Sequence, residues 1–166
     1  MNAVEIAIKM ETDAIDFYRE AAVKVGNEVG QRMFLSIVGD ETRHLQMLKD
    51  ILQGVDITME DINPMMNIRT IFDELKDEMM KRVEATGDEL DAFRIAMEME
   101  KKGEEFYRRA ASETPSFKEK ALFQRLAGEE RQHYTAFSNT YFFLANSGSW
   151  FMWEERSIVD GGTPWA

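Results

Sequence analysis

The chain has 166 residues and no cysteine, and its 31 Asp+Glu against 20 Lys+Arg give a formal net charge of −11. That length and a 44% apolar content suit one compact domain. The acidic excess argues against phosphate backbones as partners, and the missing thiols exclude disulfides, thiolate-held zinc and cysteine-ligated iron–sulfur clusters.

Prolines stand only at Pro64, Pro115 and Pro164, leaving long stretches with nothing to break a helix. Met1 to Lys9 shows no basic segment followed by an apolar run, and no stretch approaches the roughly 20 apolar residues that span a bilayer. The expectation is a soluble cytoplasmic protein with no membrane or nucleic-acid partner. The positions Ala3, Ala7, Met10, Ala14, Phe17, Ala21 and Val25 recur at three- and four-residue steps and predict a first helix. Gly26 and Gly30 bracket a turn. Phe34, Ile37, Val38, Leu45, Leu48 and Leu52 predict a second helix, ending at Gly54. Phe93, Ala96, Met97, Phe106 and Ala110 predict a third, which Thr114-Pro115 interrupts. Leu122, Leu126, Ala127, Tyr134, Phe137 and Tyr141 predict a fourth.

Residues 54–87 read as a crossover carrying a shorter helix within Met65 to Glu84. A connection that long lets the second and third helices run parallel. From Asn146 onward the chain holds Trp150, Trp153, Trp165 and Phe151, so this tail is expected to pack on the bundle or on a second subunit. The predicted organisation is a four-helix unit over 1–146, with hairpins 1–53 and 90–142, and a tail over 147–166.

Sliding the chain against itself by 89 residues aligns the two hairpins without a gap. Ala3, Ile6, Ala7, Met10 and Glu11 pair with Ala92, Ile95, Ala96, Met99 and Glu100. Phe17, Tyr18, Arg19, Ala21 and Ala22 pair with Phe106, Tyr107, Arg108, Ala110 and Ala111. Phe34, Gly39, Glu41 and His44 pair with Phe123, Gly128, Glu130 and His133, which completes 14 identities across positions 3 to 44. The duplication predicts a pseudo-twofold bundle.

Polar residues interrupt the apolar stripes at matching places: Glu11, Glu41 with His44 one turn on, Glu100, and Glu130 with His133 one turn on. An unpaired carboxylate in a core costs several kcal/mol, and four together repel one another. Two divalent cations neutralise them. Residues three apart share a helix face, so each Glu-x-x-His presents carboxylate and imidazole together. Both histidines of the chain lie in these two motifs. One Glu from each of two helices plus Glu-x-x-His from each of the other two is the ligand set of di-iron and di-manganese bundles.

In these motifs the sequence resembles the ferritin-like di-iron carboxylate proteins of the rubrerythrin type, over roughly residues 1–53 and 88–145. The resemblance implies an all-α, ferritin-like four-helix bundle binding two Fe ions, with Mn or Zn as substitutes. It implies that Glu11 and Glu100 each hold one iron terminally, that Glu41 and Glu130 bridge, and that His44 and His133 each cap one iron. Tyr18 and Tyr107 lie seven residues after Glu11 and Glu100. Three roles fit them: hydrogen bonding to ligand carboxylates, one-electron donation, or plain core packing. Asp40 and Glu129 lie four residues before the histidines, where they either orient imidazole N–H groups or stand as solvated charge.

Two departures from the family stand out. Rubrerythrins proper carry a rubredoxin-like module on two CxxC pairs, so here electrons are expected from an external donor such as a rubredoxin-like protein. Where rubrerythrins place an additional glutamate linked to iron movement, this chain has Gly103, which either opens volume beside the metals or admits another helix. The resemblance implies an oxidoreductase that reduces hydrogen peroxide or dioxygen, in a homodimer. Iron sequestration without turnover is the alternative.

Overall fold

The computed structural model describes residues 1–57 and 87–145. Four helices account for nearly all of them: α1 (Ala3–Lys24), α2 (Glu28–Leu52), α3 (Gly87–Glu113) and α4 (Phe117–Ala145). The crossover helix expected within 65–84 and the aromatic tail from 146 lie outside the described residues.

Local chemistry sets the helix ends. Asn2 and Glu5 form a reciprocal capping box, each side chain accepting from the other's backbone N–H at 2.9 Å. Asn27 caps α2 by accepting from the Gly30 N–H at 2.7 Å. The α1–α2 turn is tight enough that a Cβ on Gly30 would lie 2.6 Å from Val25 Cγ1. Between α3 and α4, the Ser116 hydroxyl accepts from the Glu119 N–H beside Pro115.

Cross-bundle contacts fix the helix directions. Tyr18 meets Glu100 while Tyr107 meets Glu11, so numbering rises along α1 as it falls along α3. The two helices are antiparallel. The pairs Asp40–His133 and His44–Glu129 give the same relation for α2 and α4. The short turn makes α1 and α2 antiparallel as well, so α2 and α3 run parallel, as expected of a long crossover.

Two apolar layers enclose a polar one. At one end Phe34, Phe93 and Phe137 pack around Tyr18 with ring centroids 5.0 to 6.1 Å apart. At the other end Ala7, Leu48, Leu122, Phe123 and Leu126 pack around Tyr107. Along each helix the buried carboxylates fall between the residues of these two clusters.

Candidate metal centre

The buried stripe of α1 is Val4, Ala7, Glu11, Ile15, Tyr18, Ala21 and Ala22, and that of α3 is Phe93, Ala96, Glu100, Gly103, Tyr107, Ala110 and Ala111. This corrects the stripes read from apolar residues alone. Met10, Ala14, Phe17, Met97 and Phe106 are half-buried flank positions, and the polar residues stand at the centre. On α2 and α4 the same registration buries Glu41 with His44 and Glu130 with His133. Leu45, Tyr134 and Tyr141 are likewise only half-buried, and Leu52 is exposed.

All six candidate ligands converge in two overlapping groups. Glu11, Glu41, His44 and Glu130 bring their ligand atoms within 4.8 Å of one another, and so do Glu41, Glu100, Glu130 and His133. Glu41 and Glu130 belong to both groups. His44 Nδ1 lies 3.6 Å from Glu11, 3.4 Å from Glu41 and 3.3 Å from Glu130. His133 Nδ1 lies 2.8 Å from Glu41 and 3.5 Å from Glu100.

The donor set fits a pair of cations. Both oxygens of Glu41, Oε1 of Glu130, Oε2 of Glu100, both Nδ1 atoms and Nε2 of His44 are buried without a hydrogen-bond partner among the described residues. Buried polar atoms are ordinarily paired, so lone pairs turned toward one another mark a cation site. In the metal-free chain protons take that place. Burial raises Glu11 and Glu130 well above the usual carboxylate range, with Glu41 adding to Glu11 and Glu100 to Glu130. Burial works against the charged imidazoles, yet Glu41 beside His44 and Glu100 beside His133 hold both well above the ordinary value. Burial also opposes ionisation of Glu41, but the neighbouring Glu11 and the two histidines hold it well below the usual range.

The tyrosines and the carboxylates behind the imidazoles each serve the opposite hairpin. The Tyr18 hydroxyl donates to Glu100 Oε1 at 2.6 Å, and the Tyr107 hydroxyl donates to Glu11. Burial, then the neighbouring carboxylates, push both phenols well above their usual pKa, so they stay protonated as donors. Asp40 on α2 meets His133 Nε2 at 2.9 Å, while Glu129 on α4 meets His44 Nε2 at 3.3 Å. Asp40 and Glu129 are thus buried partners of the imidazoles rather than solvated charge. Sequence reasoning missed Arg43, which donates to Glu129 through both terminal nitrogens and lies 3.5 Å from Asp40. It also missed Arg125, whose Nε donates to Glu129 at 3.0 Å. The one signal for Arg43 is that its counterpart in the duplication is Gln132.

A cavity of about 210 Å³ reaches the carboxylates between α1 and α3. Met10, Ala14, Met99 and Gly103 line its walls, Glu11, Glu41 and Glu130 its floor, and Asp13 and Lys102 its exposed mouth. Gly103 lines the opening, and a Cβ there would lie 3.0 Å from Glu130 Oε2.

Four helices with two carboxylates shared between two carboxylate–imidazole clusters form a ferritin-like four-helix bundle whose buried cluster fits a metal site. Residues 2–141 match the Rubrerythrin family model, and the chain belongs to the rubrerythrin family. Comparisons with curated proteins and with solved structures yield no match. Among the described residues no helix is long and apolar enough to cross a membrane.

Proposed function

We propose that this chain is a dinuclear-iron oxidoreductase that reduces hydrogen peroxide, using electrons from a donor outside these 166 residues. The carrying observation is the cluster of unpaired donor atoms around Glu41 and Glu130, with an opening that leads to it from the α1–α3 face. Glu41 and Glu130 would bridge, Glu11 with His44 would complete one position, and Glu100 with His133 the other. Oxygen-rich donors with two imidazoles suit iron or manganese better than copper. A bound ferrous pair supplies the two electrons that reduction of one peroxide to two waters consumes, with two protons taken up.

The protein's own part is positioning and exclusion. Tyr18 and Tyr107 hold the outer carboxylates in place and keep their hydroxyl protons. Asp40 accepts the outer N–H of His133, and Glu129 stands 3.3 Å from the outer nitrogen of His44, which turns each Nδ1 inward. The aromatic layer at one end and the Leu122–Leu126 layer at the other keep water from the long axis, so small molecules arrive through the α1–α3 opening. Without cysteine, the chain has no thiolate-held iron to pass electrons inward. A rubredoxin-like protein is the donor we favour, and we place the chain in a homodimer.

The test is stopped-flow oxidation of the ferrous-loaded protein by peroxide and by oxygen. Peroxide is expected to react faster by at least tenfold. Equal, slow reaction with both would overturn the reading.

A further inference from the structure

The two halves of the centre are matched in their inner residues and unmatched behind them. Glu129, which supports His44, is bound by Arg43 and Arg125. Their counterparts on the Asp40 side, 89 residues away, are Gln132 and Ser36. Among the described residues Asp40 meets a guanidinium only through Arg43, at 3.5 Å. Its other oxygen stands 2.9 Å from His133 Nε2, against 3.3 Å for the Glu129–His44 contact. A carboxylate accepting the outer N–H makes an imidazole a stronger donor, and losing such a partner costs about 10–100-fold in metal affinity. A carboxylate already engaged by two guanidinium groups gives less of that help.

Resting on the metal centre proposed above, we infer that Arg43 and Arg125 are positioning residues that make the two metal positions unequal: the Glu100–His133 position fills first, and the Glu11–His44 position fills second and exchanges faster. The asymmetry is built into the chain. It lies outside the inner residues, which the duplication keeps identical.

Cobalt(II) titration of the metal-free full chain tests this, read by visible absorption and native mass spectrometry. At one equivalent the one-ion species should dominate, with the first step at least tenfold tighter than the second. The proton spectrum of that species should show one hyperfine-shifted imidazole N–H. Asp40→Asn should weaken the first step about 10–100-fold. Arg125→Gln should leave the first step unchanged and tighten the second about threefold or more, narrowing the gap. Thermal melts of each metal-free variant establish that it folds, and Arg43→Gln, which copies Gln132, provides a second route to the same narrowing. Two ions bound in one step, an unaltered gap in both arginine variants, or loss of the first step in Glu129→Gln instead of Asp40→Asn would overturn the inference while leaving the centre intact. Failure to bind cobalt at all would overturn the centre and the ordering together.

Discussion

Tyr18 on α1 donates its hydroxyl to Glu100 on α3, and Tyr107 on α3 returns the same contact to Glu11 on α1. Each tyrosine lies two turns, about 10.5 Å, along its own helix from the glutamate seven residues earlier, too far to serve it. The antiparallel neighbour brings the other glutamate within reach. Tyr18→Phe and Tyr107→Phe should each lower metal-free stability by about 1–2 kcal/mol, because a buried carboxylate oxygen loses its donor. Chemical denaturation measures this. A change within error for both would mean that water replaces the hydroxyl.

Gly103→Ala tests the fit of Glu130. Alanine favours a helix by about 1 kcal/mol over glycine. The added methyl, however, meets the Glu130 carboxylate at 3.0 Å. Metal affinity, measured by calorimetric titration, should fall about tenfold while the metal-free melting temperature holds or rises. Gly39→Ala and Gly128→Ala are the controls. Among the described residues nothing lies within 4 Å of a Cβ at either position. Each should add about 0.5–1 kcal/mol with metal affinity unchanged.

Glu41→Ala and Glu11→Ala should differ in kind. Glu41 belongs to both ligand groups and Glu11 to one. Metal analysis after anaerobic loading should find less than one ion per chain in the first variant and about one in the second. Identical stoichiometry in the two would contradict the shared role of Glu41.

Metal-free stability should decline as pH rises above about 5. Glu11, Glu130, His44 and His133 have raised folded-state values. Their contribution is full below the unfolded values, about 4.3 for Glu and 6.5 for His, and is lost as pH rises through the folded ones. Glu41 and Glu129 are lowered, the latter by His44 and Arg43 against its burial, so their contribution is lost as pH falls below about 4.3. Melting temperatures across pH 4 to 9 should peak on the acid side of neutrality. Manganese(II) at pH 8 should restore stability, since binding releases the protons. A metal-free melting temperature higher at pH 8 than at pH 5.5 would refute the account.

The helices were legible in the sequence because apolar residues recur at helical steps and because Gly26, Gly54 and Pro115 stand at their ends. The convergence of Glu11, Glu41, Glu100 and Glu130 was legible through the duplication. The stripe centres were not, because weighting apolar residues drew α1 and α3 toward Met10, Phe17 and Phe106, while burial of carboxylates turns each helix toward Glu11, Tyr18 and Tyr107. Nor was the exchange of partners, since one-dimensional spacing ties Asp40 to His44 and Glu129 to His133, and only antiparallel packing crosses them.

Reciprocal bracing between hairpins carries an ancestral implication. One hairpin by itself has its carboxylates and imidazole but none of the groups that steady them. Two copies associating about a true dyad would make each contact twice, and so form a complete site from half the present length. Covalent joining then released the copies from identity, and Arg43 against Gln132, or Gly103 against Ala14, are differences that a strictly symmetric pair could never have held.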